Sequence, residues 1–173
     1  MKIAIWLTII AVAVAALLVW RYVFTLDTIE KLIEKSHPVP NISVDTFFAK
    51  MASADSLDYL IFDTREPEEF QRSHLKAAIQ VNPNINPEDF LKKYGDQIAG
   101  KKVVFYCSIG ARSSVLAEKI LQHAPDIADS VMNLRGGVFR WYNRGYPVYN
   151  ARGQTGDVHP YNFFWGKLLK ARR

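Results

Sequence analysis

The chain is predicted to be an α/β protein with a central, mostly parallel sheet flanked by helices, and three observations carry that expectation. Short apolar, β-favouring runs alternate with helix-like segments from about Ile42 to Val148. The connections between them are short, and in such an order parallel strands covered by helices on both faces are the economical solution. The run YLIFD has no polar alternation and therefore reads as a buried strand rather than one with a wet face.

Taken in order, residues 1–24 read as a transmembrane anchor. From Ile3 to Trp20 there is no charge, and as a helix that run spans ~27 Å at ~1.5 Å per residue, about a hydrocarbon core's thickness. Trp6, Trp20 and Tyr22 suit the two interfaces. The competing reading is a cleaved signal peptide. Against it, the run is long, and Leu18, Val19, Trp20 and Arg21 offer no small-x-small cleavage site. Residues 25–41 read as a stalk, a short helix with Leu26, Ile29, Leu32 and Ile33 on one stripe, stopped by Pro38 and Pro40.

The domain proper takes residues 42–150. ISV opens it as a short strand, and DTFFAKMA is a helix with Asp45 as N-cap. YLIFDTR is a strand ending at Asp63, and EPEEFQRSH a helix with Pro67 in its first turn. AAIQV is the third strand, NPEDFLKKYG a helix closed by Gly95, and KKVVFYC the fourth strand. SSVLAEKILQHA is a helix, SVMNL a strand, and GGVFRWYNRG a last helix ended by Gly145. Residues 151–173 form a basic, aromatic tail.

Composition narrows the function. The net charge of +5 resides in Lys2 and in the tail, where Arg152, Lys167, Lys170, Arg172 and Arg173 outweigh Asp157. Arg21 to Ala151 sums to zero, so the domain lacks the electrostatic footprint of a nucleic-acid binder. One cysteine excludes an internal disulfide and a CxxC pair. His37, His74, His123 and His159 are scattered without ligand spacing, so no metal site is expected.

That one cysteine, Cys107, falls where the fourth strand gives way to a helix, in the turn CSIGARSS. Ligands of parallel α/β sheets bind at the carboxyl ends of strands. A turn of small residues opening a helix aims backbone N–H groups at one point, and the helix dipole adds partial positive charge there. Such a focus favours a sulfur anion. Gly110 permits a backbone conformation that a side chain forbids. Arg112 supplies a fixed positive charge, and Ser113 is placed to cap the helix. The bland alternative is an inert buried cysteine, a common fate of free cysteines. Gly110, Arg112 and the helix start argue together against it.

Four segments in order, ISVDTFFAKM, FDTREPEEFQRSHLKAAI, VVFYCSIGARSS and MNLRGGVFRWYNRGYPV, make the chain from about Ile42 to Val148 resemble a single rhodanese domain. The match is looser at the corner after the second strand, where Ser73 and Lys76 replace glycines. The resemblance implies a rhodanese-like sulfurtransferase without a cofactor. On that resemblance Cys107 would accept a sulfane sulfur from a small anionic donor such as thiosulfate. The persulfide would then be held by the loop residues Ser108, Ile109, Gly110, Ala111 and Ser113, and the acceptor would be cyanide, a thiol or a protein cysteine. Arg112 would orient or neutralise the donor. Asp63 and Arg65 line the same sheet edge, Arg65 as a substrate contact or, with Asp63, as an ion pair bracing the loop. His74 is expected as a corner-capping residue rather than a base, and Phe139 and Trp141 as core.

Related phosphatases and arsenate reductases place five residues between cysteine and arginine. Here four stand between Cys107 and Arg112, and the shorter loop leaves less room for a tetrahedral oxyanion. A binding module with an incidental cysteine is the remaining alternative. The tail aromatics Tyr161, Phe163, Phe164 and Trp165 are expected to dock on the domain, leaving the last basic residues free. Flanking charges give no vote on topology. A short amino-terminal tail retained inside is the commoner arrangement, so the domain is expected on the extracytoplasmic side. Nothing in the sequence speaks to oligomeric state.

Overall fold

The computed structural model describes residues 2–126 and 130–171, the side chains at 2, 4, 21, 22, 54, 55 and 130 excepted. Its centre is a five-stranded, wholly parallel sheet. The strands are β1 (Asn41–Ile42), β2 (Tyr59–Asp63), β3 (Ile79–Gln80), β4 (Lys102–Tyr106) and β5 (Ser130–Leu134), in the order β1-β5-β4-β2-β3. Side chains alternate across it. Ile61, Val104, Tyr106 and Leu134 join one buried cluster with Phe47, Phe139 and Trp141. Phe62, Val103, Phe105 and Val131 join another with Phe90, Leu116 and Ile120. Both faces are therefore covered, which is why these strands are continuous apolar runs.

The helices are α1 (Lys2–Val23), α2 (Leu26–Ser36), α3 (Val44–Met51), α4 (Pro67–Arg72), α5 (Pro87–Ile98), α6 (Ala111–His123), α7 (Gly137–Asn143) and α8 (Phe163–Gly166). A hairpin, β6 (Val148–Asn150) with β7 (Gly153–Thr155), leads into the tail. Several boundaries differ from expectation. Ser43, not Asp45, caps α3 by accepting from the Thr46 N–H at 3.1 Å, while Asp45 accepts instead from the Tyr146 hydroxyl at 2.7 Å. Helix α5 runs through Gly95 to Ile98, because Phe90, Tyr94 and Ile98 lie four apart on one buried stripe. Burying an isoleucine outweighs the ~1 kcal/mol cost of an interior glycine. The third strand is shorter than AAIQV, since Ala77 sits at φ 60°, outside any strand conformation.

The segment read as a stalk packs on the domain. Leu26 is buried, and Ile29 and Ile33 lie against the same cluster as Phe47 and Trp141. Leu32 alone of the predicted stripe is exposed. Glu30, also buried, accepts from Arg140 Nε at 2.7 Å and Arg135 Nε at 3.1 Å, so α2 is fixed by an ion pair as well as by apolar contact.

No helix among the described residues is long and apolar enough to cross a membrane. The described side chains of α1 run unbroken only over residues 5–20, ~24 Å of helix, so the expected spanning helix is not met on them. The apolar side chains in that stretch are exposed.

Candidate active site

Cys107 follows the middle strand of the sheet, β4, at its carboxyl end, and α6 opens four residues later. The loop between them is held from two sides. Gly110 occupies the N-cap position of α6 at φ 98°, a conformation that costs a side-chain-bearing residue about 1–2 kcal/mol. From there its N–H donates to Cys107 Sγ at 3.2 Å. On the other side, the first amides of α7 reach the loop's carbonyls: Val138 N–H donates to Cys107 O at 2.9 Å, and Phe139 N–H to Ser108 O at 3.0 Å. That approach requires glycine at 137, where an added Cβ would lie 2.3 Å from Cys107 O.

The charge at the loop is a pair rather than a free cation. Arg112 donates through Nη1 to Glu69 Oε2 at 2.9 Å, and through Nη2 to Glu69 Oε1 and Ser108 Oγ, both at 3.1 Å. The Ser108 hydroxyl donates to Glu69 Oε1 at 2.9 Å. Burial pushes the Glu69 carboxyl up, but Arg112 outweighs it and holds the group below its ordinary range. Burial works against the Arg112 charge too, and Glu69 and Cys107 restore it, so its pKa is raised. Glu69 belongs to α4, where Oε2 also accepts from the Glu66 N–H at 3.1 Å as half of a capping box. In the sequence EPEE that capping signal is the visible role of Glu69, and its second role at the cysteine loop was missed.

The cysteine is 1% exposed and lies at the edge of a cavity of about 130 Å³. Ser108, Ile109, Ala111 and Arg112 line it from the loop, as expected; Tyr161 and Trp165 line it from the tail. Sequence reasoning placed those two aromatics on the domain but not at the cysteine. Tyr161 covers Arg112, its ring centroid 5.0 Å from Cζ. A larger hollow of about 860 Å³, bordered by Trp20, Asp27, Arg140 and Lys167, does not include Cys107 among its lining residues.

Other predicted residues stand elsewhere. Ser113 does not cap α6; it lies inside the first turn, and its hydroxyl hydrogen-bonds Asn133 Oδ1 at 2.7 Å. Arg65 is not a cavity residue. It is fully buried with Asp63, donating through Nη2 to Asp63 Oδ2 and to Ser73 O, both at 2.6 Å. Burial opposes its charge, but Asp63 overrides that and raises its pKa. The neighbouring Tyr106 is pushed well up by burial and by Asp63, and its oxygen accepts from the Leu75 N–H at 3.0 Å. The Asp63–Arg65 pair thus braces the end of β2 beside β4. His74 donates from Nδ1 to Phe70 O at 2.9 Å and stacks on the Phe70 ring. Its backbone bridges to Tyr149, so it secures the corner and the β6 hairpin rather than the cysteine loop.

Comparison with known proteins bears on this geometry. The family model for the rhodanese-like domain matches residues 46–144. A protein named sulfurtransferase from Allochromatium vinosum is 29% identical over 110 residues, covering 64% of this chain and 96% of its own. A probable molybdopterin-synthase adenylyltransferase from Porphyra purpurea is 32% identical over 110 residues, 62% of this chain but 26% of its own. Among solved structures, a thiosulfate sulfurtransferase from Pseudomonas aeruginosa superposes with a TM-score of 0.56 at 21% identity, over 81% of this chain and 25% of that one. A Bacillus halodurans protein does so with a TM-score of 0.55 at 19% identity, over 82% and 97%. These two share the fold.

Proposed function

We propose a sulfur-transfer reaction at Cys107 on one premise: the chain belongs to the rhodanese-like domain family. The observation that carries the reading is the single thiol at the end of β4, with the Gly110 N–H directed at its sulfur. In the first step the Cys107 thiolate attacks the outer sulfur of a sulfane donor. A Cys107 S–S bond forms as the donor's S–S bond breaks, and the donor keeps that electron pair, as sulfite where the donor is thiosulfate. In the second step an acceptor's lone pair attacks the outer sulfur of the persulfide, and the breaking bond returns its pair to Cys107 as thiolate. Electrons balance without an external oxidant.

Donors already committed elsewhere limit what Arg112 offers. With Glu69 and Ser108 engaged, it presents a neutralised pair to an incoming anion, and its part is to fix the loop and buffer the extra sulfur's charge. Thiosulfate is therefore a serviceable test donor rather than the implied physiological one. Membrane attachment through α1 belongs to the same proposal. It rests on the uncharged run Ile3–Trp20, with the domain on the extracytoplasmic side.

The deciding experiment is intact-mass measurement after thiosulfate treatment. Wild type is expected to gain one sulfur atom, removed by cyanide with release of thiocyanate, and Cys107→Ser to gain none while melting like wild type. A folded wild-type protein that never takes up sulfur from thiosulfate or from glutathione persulfide would leave a binding module as the better description.

A further inference from the structure

The tail segment that contributes Tyr161 and Trp165 to the lining of the cysteine cavity lies beyond the family-matched residues 46–144. It is nonetheless fixed to the domain on both sides of the site. Before it, the Tyr142 hydroxyl donates to Gly156 O at 2.9 Å, Arg72 pairs with Asp157 at 2.6 Å, and Val158 is buried. After it, Asn143 Nδ2 donates to Leu168 O at 2.7 Å, and the Lys170 N–H donates to Asn143 Oδ1 at 2.8 Å. Between these ties the backbone is bent on purpose. Tyr161 stands at φ 63°, an unfavourable conformation for a tyrosine, with its N–H donating to His159 Nδ1 at 3.1 Å. Asn162 then caps α8 by accepting from the Phe164 and Trp165 N–H groups. The result puts one ring on Arg112 and brings Trp165 to the cavity, where Phe24 packs against it at 5.7 Å between centroids.

We propose that Tyr161 and Trp165 are specificity-determining residues of the Cys107 site, an aromatic wall that admits small acceptors and holds off bulky ones, protein cysteines among them. The inference rests on the sulfur-transfer reading for its substrates but not for its geometry. A sulfur 1% exposed beside a space of about 130 Å³ is reached by cyanide or by a low-molecular-mass thiol. A cysteine on a folded partner must bring its backbone with it, into a space that the two rings line. The cavity is also largely uncharged, since the one cation among its described lining residues, Arg112, is paired with Glu69 and faced by Tyr161. It therefore favours compact, weakly charged thiols over polyanionic carriers.

The test uses the full-length chain in detergent and the fact that it has one thiol. Cys107 is alkylated with iodoacetamide and, separately, with a fluorescein maleimide, in wild type, in Tyr161→Phe and in the double variant Tyr161→Ala, Trp165→Ala. The double variant is expected to react about tenfold faster with the bulky reagent, the order of effect a removed pocket contact has on discrimination, with little change toward iodoacetamide. Tyr161→Phe, which keeps the ring, is expected to behave as wild type. Persulfide discharge to cyanide and to a small thiol-bearing protein is measured in parallel, with the protein acceptor gaining in the double variant. Equal acceleration toward both alkylating reagents, or none toward either, would overturn the wall, and thermal melts separate simple unfolding from the former. Size discrimination that responds as expected in a chain that never forms a persulfide would keep the wall and discard the sulfur-transfer reading. Persulfide chemistry with unaltered discrimination would do the reverse.

Discussion

At Gly137 the demand on a single residue is sharpest. Its φ is 55°, and a methyl group there would sit 2.3 Å from Cys107 O and 2.8 Å from Ser108 O. Both are backbone atoms that α7 itself holds by hydrogen bonds, so neither yields cheaply. Gly137→Ala is expected to cost about 1–3 kcal/mol from overpacking and to displace the loop. Denaturant melts should show the first, and slowed persulfide formation at unchanged cysteine content the second. Glu69 offers a test with a sign. Its carboxyl is held below its ordinary range in the fold, so its stabilisation is present above the unfolded carboxylate's pKa and is lost as pH falls through the depressed folded value. Glu69→Gln should therefore be less stable than wild type at neutral pH by about 1–3 kcal/mol, and the two should converge in acid. With Arg112 no longer neutralised, thiosulfate use should improve; unchanged kinetics would mean that Glu69 does not temper that charge. The sequence made Cys107, Gly110 and Arg112 legible because turn chemistry is local. It hid Glu69, Tyr161 and Trp165 because each reaches the loop only through tertiary packing, and in a single sequence a carboxylate at a helix start looks like a cap and nothing more.

Helices whose apolar period is clear were legible as elements, and what the pattern could not tell was which surface each would meet. The stripe of α2 is equally consistent with a free stalk and with a docked helix; Glu30, buried and paired with two arginines from beyond β5, decides for docking. Local propensity misjudged the ends. Gly95 looked like a stop until Ile98 proved buried, and Ser113 looked like a cap where Gly110 already served. The consequence for truncation is direct. A chain beginning near Ser36 would lose Leu26, Ile29, Ile33 and Glu30 from the core's cover, and a fully buried leucine or isoleucine alone is worth ~1.5–3 kcal/mol. A chain beginning at Val23 keeps them. The shorter chain is expected to melt lower, bind a hydrophobic dye and purify poorly, and the longer one to melt cooperatively. Equal melting temperatures would return α2 to the role of a stalk.

For the molecule as a whole, two apolar surfaces converge at one end. Helix α1 is uncharged from Ile3 to Trp20, and its exposed side chains include Trp6, Leu7 and Leu18. Near its end, Trp20 stacks on Phe24, and Lys167 lies 5.3 Å from the Trp20 ring. Phe163 and Phe164, both exposed, lie edge to face, their ring centroids 4.7 and 5.4 Å from the same ammonium. The tail's basic residues are one candidate for membrane contact and α1 is the other, and magnitude separates them. Lysine and arginine near an anionic surface contribute ~1 kcal/mol each. Lys167 and Lys170 together, even joined by Arg172 and Arg173, which lie outside the described residues, thus give weak, salt-sensitive association. If the uncharged run Ile3–Trp20 inserts as proposed, it gives retention that salt does not touch. The full-length chain is accordingly expected to stay in the membrane fraction through both high salt and an alkaline carbonate wash, and to need detergent for release. The chain beginning at Val23 is expected to leave with the first wash, and to co-sediment with anionic vesicles only at low ionic strength. Release of the full-length chain by carbonate would refute α1 as the anchor. Recovery of mature protein beginning after residue 20 outside the cytoplasm would make the segment a signal peptide, and the aromatic end of the tail would then have to hold Trp165 at the cysteine cavity without Trp20 behind Phe24.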